Sequence, residues 1–404
     1  METVARKKGW ESTNGTVGVG IIGCGERINQ VTRRTCRQEQ RLRVIGVNDI
    51  NPKAVETTRK FFSHKAYYAH TERALRDYES ADALVADPEI DWVFVGSWNA
   101  SHCEHVVAAF NAGKHVFCEK PLATTVEDCL TMRDAWKASG RQFVIGFTLR
   151  FSPHYRKIKQ LITEGTIGDI ISMEFNETLN FNHGGWIHDD WRSETKYAGT
   201  HLLEKCSHDI DLVNWMIGCR ASRVASFGGL DFFIPSNAYH MDRLGTDVNG
   251  CRAYKGMGPN KNRPGTDPFT RQPKDIVDNQ VAIIEYENNV RATFHTNCNA
   301  GIPERRMYLL GTEGAIRADV LTGVIESKRI GFDTELINHD TGSSGDHGGG
   351  DDVLAKELRD CMVQGTLPAA GLEEGLESAI TCFGIDKAHE TGQIIDMEAF
   401  WSRL

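Results

Sequence analysis

The chain has 404 residues, a formal net charge of −9, 40% hydrophobic and 25% charged residues. That length exceeds one ordinary core and predicts two domains, and the acidic balance disfavours nucleic acid or an anionic membrane as a partner. No apolar run approaches a membrane span, Met1 to Gly15 lacks an apolar signal core, and the 11 cysteines stand outside Cys-x-x-Cys pairs. A cytoplasmic protein without a disulfide framework is expected.

Residues 1–15 read as a polar tail. Val17 to Ile22 reads as a buried strand, followed by a glycine turn and a polar helix through Arg27, Gln30 and Arg34. Arg43 to Val47 is the next strand and closes on Asn48-Asp49. Pro52 suits a first helical turn, with the helix running on through Phe62. Asp91 to Gly96 is a strand, His102 to Ala112 a helix, His115 to Cys118 a strand, Val126 to Ala138 a helix, and Gln142 to Gly146 a strand. Strands alternating with helices predict a doubly wound parallel sheet over residues 16–147.

The remainder, residues 148–404, has a different rhythm. A helix over His154 to Glu164 precedes strand-like runs at Ile170 to Asn176, Ala221 to Phe227, Gln280 to Tyr286, Val290 to Asn297 and Arg305 to Leu310. Most lack intervening helices, which predicts a mostly antiparallel sheet in an α+β domain. Leu202 to Met216 is a clear helix, and Asn249 to Lys274 is expected to be a long surface loop. A Gly-rich stretch, Thr341 to Gly350, precedes helices at Asp352 to Val363 and Glu373 to Glu390, which are expected to pack back on the first domain.

Several residues carry chemistry. Gly23-Cys24-Gly25 after a strand suits a turn that accepts a dinucleotide pyrophosphate, although Ile28 stands where a third glycine is usual. Asp49 lies 24 residues after Gly25, close to the spacing of a carboxylate that binds ribose hydroxyls. Its alternative is a turn or cap residue. A carboxylate there repels a ribose phosphate, so NAD is expected over NADP. Lys120 ends a strand beside Pro121, at the sheet edge where ligands bind, and could serve as an acid–base group. Glu204, His208 and Asp211 share one helical face, either lining a cleft or solvated. His102 starts a helix next to the cofactor turn, and His105 reads as an ordinary helix residue; no metal site is expected. Phe181, Trp186 and Trp191 either face a sugar or staple a loop to the core.

The stretches Gly20 to Arg27, Asn99 to His102, Ala112 to Ala123, Gly146 to Pro153, Glu204 to Asp211 and Ala388 to Gly392 occur in one order along nearly the whole chain. In that order the chain resembles the glucose–fructose oxidoreductase / inositol dehydrogenase / MocA-type family of nicotinamide-dependent oxidoreductases. The resemblance implies an N-terminal Rossmann domain followed by an α+β domain with a large, open, mostly antiparallel sheet. It implies that Gly23, Gly25, Glu26, Arg27, Asp49, Asn99, His102, Glu119 and Lys120 contact the cofactor. It implies catalysis by Lys120 and His208 with Glu204 and Asp211, and substrate contacts from Lys120, Arg150, Trp191, Glu204 and His208. Glu204 replaces the family's usual Asp, which moves the carboxylate by about one methylene and leaves its role open. The implied reaction is hydride transfer between NAD and a secondary alcohol of a sugar, glycoside or cyclitol. The alternative is a glycosidase or epimerase that holds NAD tightly and oxidises a sugar only transiently. The open sheet face implies a homodimer or homotetramer.

Overall fold

The computed structural model describes residues 15–63, 75–255, 267–345 and 347–404. The polar tail therefore lies outside the described residues, except for Gly15, as does the middle of the long loop. The chain forms two compact units. The first comprises residues 1–123, 127–151 and 350–375, and the second residues 124–126, 152–349 and 376–404.

In the first unit, six strands form one parallel sheet: β1 (Val17–Ile22), β2 (Leu42–Asn48), β3 (Arg76–Asp77), β4 (Trp92–Val95), β5 (His115–Cys118) and β6 (Phe143–Ile145). Their order is β3-β2-β1-β4-β5-β6. Every residue of β1, β4, β5 and β6 is buried, as expected of a sheet covered on both faces. The order reverses between β1 and β4, the usual ligand crevice of such sheets. Backbone bonds continue past the strand ends. Gly23 N–H donates to Asn48 O, Gly96 N–H to Ile22 O, Glu119 N–H to Val95 O and Gly146 N–H to Cys118 O. The glycine turn and the Glu119-Lys120-Pro121 segment thus emerge along one edge. The Gly350–Gln364 helix belongs to this unit and packs against the Glu26–Cys36 helix.

The second unit holds a nine-stranded sheet: β7 (Ile170–Asn180), β8 (Ala221–Gly229), β9 (Asn279–Tyr286), β10 (Arg291–Ala300), β11 (Arg306–Gly311), β12 (Gly314–Asp319), β13 (Val324–Arg329), β14 (Ile337–Asn338) and β15 (Ile395–Asp396). Their order is β14-β13-β12-β11-β7-β10-β9-β8-β15, and only the β7–β10 pair is parallel. Side chains alternate between the two faces. Ala282, Ile284, Ala292 and Phe294 are buried on one face, and Val281 and Ile283 are exposed on the other. Phe175 and Phe294 meet across β7 and β10 at 4.6 Å.

The His201–Ile217 helix packs on β7. Thr200 caps its start by accepting from Leu203 N–H, and Gly218 ends it at φ +71°. The Trp-bearing segment contains a helix, Phe181–His188, that the sequence reading treated as loop. The described ends of the Asn249–Lys274 stretch are not wholly surface. Tyr254 and Phe269 are buried in an aromatic cluster with Phe233.

Candidate functional site

The glycine turn is built by shape. Gly23 has φ +85°, and a Cβ there would fall 2.2 Å from Ser97 N. Gly25 has only Gly96 O within 4 Å of its ideal Cβ, at 3.8 Å. The backbone is open at Gly25, so a bulky anion can approach, and the helix beginning at Glu26 offers N-terminal N–H groups. Ile28 takes the third glycine's place without loosening the packing. It is buried, and a Cβ on Gly96 would lie 2.6 Å from Ile28 Cβ. The glycine required for close approach sits on the strand side instead.

Asp49 takes the turn-residue reading of its position, at the end of β2. Its Oδ2 accepts from Cys24 N–H at 2.6 Å, inside the glycine turn, and its Oδ1 accepts from Asn51 N–H at 2.7 Å. Its carboxylate is therefore fixed at the end of β2 while acceptor capacity remains. A cavity of about 550 Å³ opens beside it, lined among others by Glu56, Arg59, Asp77 and Glu79.

Glu26 is exposed and accepts from Gln30 at 3.0 Å. Arg27 lies in a web of contacts within the first unit. It contacts Glu119 at 3.3 Å and Asp351 at 2.5 Å, and donates to Thr148 Oγ1 at 2.6 Å. Burial opposes its charge, but Glu119 and Asp351 overcome that and raise its pKa. Glu119 reaches Arg27 by crossing Gly146, whose Cβ would lie 2.7 Å from Glu119 Oε2. Arg27 and Glu119 therefore tie the glycine turn to the lysine segment. Lys120 is half-buried at the end of β5. Asn99 is buried ahead of the His102–Asn111 helix.

His102 is a brace. Its Nδ1 lies 2.9 Å from Pro121 O and its Nε2 3.3 Å from Ser97 O. A carbonyl only accepts, so Nδ1 carries the proton at the shorter contact. Burial pushes its pKa down to about 4, leaving a neutral ring. His105 Nδ1 meets Ser97 Oγ at 2.9 Å. Arg150 is buried in the first unit, 4.0 Å from Glu374.

In the second unit, Glu204, His208 and Asp211 are 8%, 7% and 1% exposed. The solvated-face alternative does not hold. Glu204 Oε1 accepts from Arg192 Nε at 3.0 Å. The imidazole of His347, from the Gly-rich stretch, lies 6.3 Å from that of His208. Phe181 packs edge-on to Tyr254 at 5.3 Å, and Phe181 and Trp186 rest on the aromatic cluster, so both act as staples. Trp191 and Trp186 also flank the Arg192 guanidinium, at 4.4 and 4.2 Å.

Beneath this helix is a buried ionic cluster absent from the sequence reading. Arg305 grips both oxygens of Asp209, at 2.8 and 2.7 Å, and contacts Glu177 at 3.2 Å. Lys205 contacts Glu177 at 2.9 Å. Burial opposes the Glu177 charge, but Arg305 and Lys205 hold its pKa below the carboxylate range. Glu177, Cys206 and Asp209 bring ligand-type atoms within 4.8 Å of one another, but the two cations already neutralise both carboxylates. Sequence signals existed only as Glu177, one of two glutamates on β7, and the Arg305-Arg306 pair.

Comparison with known proteins decides the family. A family model described as "Oxidoreductase family, NAD-binding Rossmann fold" matches residues 17–147, and the "GFO/IDH/MocA C-terminal domain" model matches 155–317. Together they cover more than half the chain. The chain belongs to the GFO/IDH/MocA oxidoreductase family.

Within this family, an inositol 2-dehydrogenase of Gluconacetobacter diazotrophicus is 34% identical over 206 residues, 50% of this chain and 55% of that protein. The chain thus spans about half the length of that curated relative. Among solved structures, a levoglucosan dehydrogenase in complex with NADH and levoglucosan is 19% identical with a TM-score of 0.75, covering 95% of this chain and 99% of that one. An aldose-aldose oxidoreductase from Caulobacter crescentus complexed with glycerol is 19% identical with a TM-score of 0.70, covering 94% and 99%. These structures share the fold: a parallel nucleotide-binding sheet and a second, mostly antiparallel sheet.

Proposed function

We propose that this protein is an NAD-dependent dehydrogenase acting on a secondary alcohol of a sugar, glycoside or cyclitol. The observation that carries the reading is the buried row Glu204, His208 and Asp211 on one helix, in a family chain related to inositol 2-dehydrogenases. The first unit fits a nicotinamide dinucleotide: Gly25 leaves the backbone open, and Asp49 is held at the strand end. Gly23, Gly25 and the N–H groups of Glu26 and Arg27 would cradle the pyrophosphate, and Asp49 the ribose. When bound, the nicotinamide supplies the two-electron acceptor for the hydride leaving the alcohol carbon.

The chain's own residues handle the proton. His208 takes the hydroxyl proton as the carbonyl forms, with Glu204 and Asp211 on the same helical face. Lys120 is assigned to donating a hydrogen bond to the reacting oxygen. Arg150 and Trp191 are assigned to orienting the bound molecules. NAD is favoured over NADP because Asp49, Glu56, Asp77 and Glu79 surround the cavity beside the turn with one cation, Arg59, which already pairs with Asp77 at 3.0 Å. A further phosphate would meet that negative field.

The exposed face of the large sheet is assigned to self-association as a homodimer or homotetramer. Phe227 pairs with Val281 and Ala225 with Ile283 across β8 and β9. Phe227, Val281 and Ile283 are exposed, an apolar patch suited to a symmetric contact.

Two variants test the chemistry. Lys120→Ala is expected to abolish NAD reduction while leaving the unfolding curve intact. His208→Ala is expected to lower turnover and remove one limb of the pH profile. Near-normal turnover in either variant removes that residue from the mechanism.

A further inference from the structure

We propose that Arg192 is a substrate-binding residue whose Nη2 donates to a hydroxyl oxygen of a neutral polyol. The inference rests on the dehydrogenase reading above and names a recognition group of that same site. A guanidinium carries five N–H groups in a rigid plane. Here Nε donates to Glu204 Oε1 at 3.0 Å and Nη1 to Asp190 Oδ2 at 3.2 Å. Two indoles lie against the plane, Trp186 at 4.2 Å and Trp191 at 4.4 Å. Among the described residues, Nη2 makes no hydrogen bond. The side chain retains 20% exposure. Nε and Nη1 are thus held, and Nη2 is available to a ligand.

The surroundings select the ligand's charge. Two carboxylates face one guanidinium, so the group presents N–H donors in a net negative field. A hydroxyl oxygen accepts from Nη2. A sugar acid would meet those carboxylates and be disfavoured. The extra methylene of Glu204 acquires a purpose: it carries the carboxylate to Arg192, on the segment preceding the helix.

The test compares the wild type with Arg192→Lys and Arg192→Gln. NAD reduction is followed with inositols, monosaccharides and the matching uronic acids. Binding of the same compounds is read separately by intrinsic tryptophan fluorescence, and stability by thermal unfolding. KM for the neutral polyol is expected to rise on the order of tenfold to a hundredfold in both variants. kcat should change far less, and the wild type should prefer the neutral compound to its uronic acid. A turning-over enzyme whose KM is unchanged in the variants overturns the proposal, as does a wild-type preference for the uronic acid. Loss of thermal stability with an equal fall in kcat and no KM shift also overturns it, since that marks a loop staple. A wild type without turnover whose fluorescence titrates with a polyol, the titration being lost in Arg192→Lys, supports the subsite and removes the dehydrogenase reading. Neither turnover nor titration in the wild type overturns both.

Discussion

Replacing Arg305 by methionine should expose how the helix bearing His208 is held. The buried cluster balances two cations, Lys205 and Arg305, against two carboxylates, Glu177 and Asp209. The Arg305, Asp209 and Glu177 side chains are 5%, 2% and 4% exposed. Arg305→Met leaves Lys205 facing both carboxylates, with Asp209 stripped of its bidentate partner. Removing one partner of a buried pair costs about 3–5 kcal/mol. For a unit of this size that lowers Tm by roughly 6–20 °C.

The deficit should depend on pH. Burial pushes the Asp209 pKa up to about 7 even with Arg305 opposing it, so the variant's Asp209 goes higher. A carboxyl raised in the fold binds its proton more tightly there than in the unfolded chain. Its stabilising effect is complete below the ordinary carboxylate pKa and is lost as pH rises through the folded value. The Glu177 part of the deficit is therefore expected to be present already at pH 5, and the Asp209 part to be absent there and to grow as pH rises past 7. Adding Asp209→Asn should recover at least half of it. The assay is urea or thermal unfolding of both proteins at several pH values. A deficit below about 1 kcal/mol at pH 8, or one that does not change with pH, would refute the reasoning.

Two further outcomes follow from the first unit. Gly96→Ala should cost about 1–3 kcal/mol because its Cβ meets Ile28. Gly96→Ala should cost less in an Ile28→Gly background than in the wild type, and an equal cost in both backgrounds contradicts this. Asp49→Ser should weaken NAD relative to NADP in paired titrations, and an unmoved ratio places the ribose contact elsewhere.

Much of the fold was legible because its signals are local. Fully apolar runs such as Val17 to Ile22, each closed by Gly or Asn-Asp, mark strands buried on both faces. Strands β12 to β15 escaped notice because their side chains alternate with charge, as in Arg317 and Lys328, or because they are only two residues long. Placement was legible where spacing encodes it: Gly23 in a tight turn, Asp49 and Lys120 at strand ends, and Glu204, His208 and Asp211 on one buried helical face. Arg192 and the Glu177–Arg305 contact were not, because each joins residues on different elements; Glu177 and Arg305 lie 128 positions apart. The contacts of Arg27 with Glu119, Asp351 and Thr148 were hidden for the same reason.

The most direct measurement is absorbance at the reduced-nicotinamide band, with purified protein, NAD and a panel of inositols, monosaccharides and glycosides. Growth of the band with one class of polyol is the result the account predicts. A flat band across the panel, with nicotinamide released when the protein is denatured, would contradict it and point to transient oxidation of a sugar by a retained cofactor.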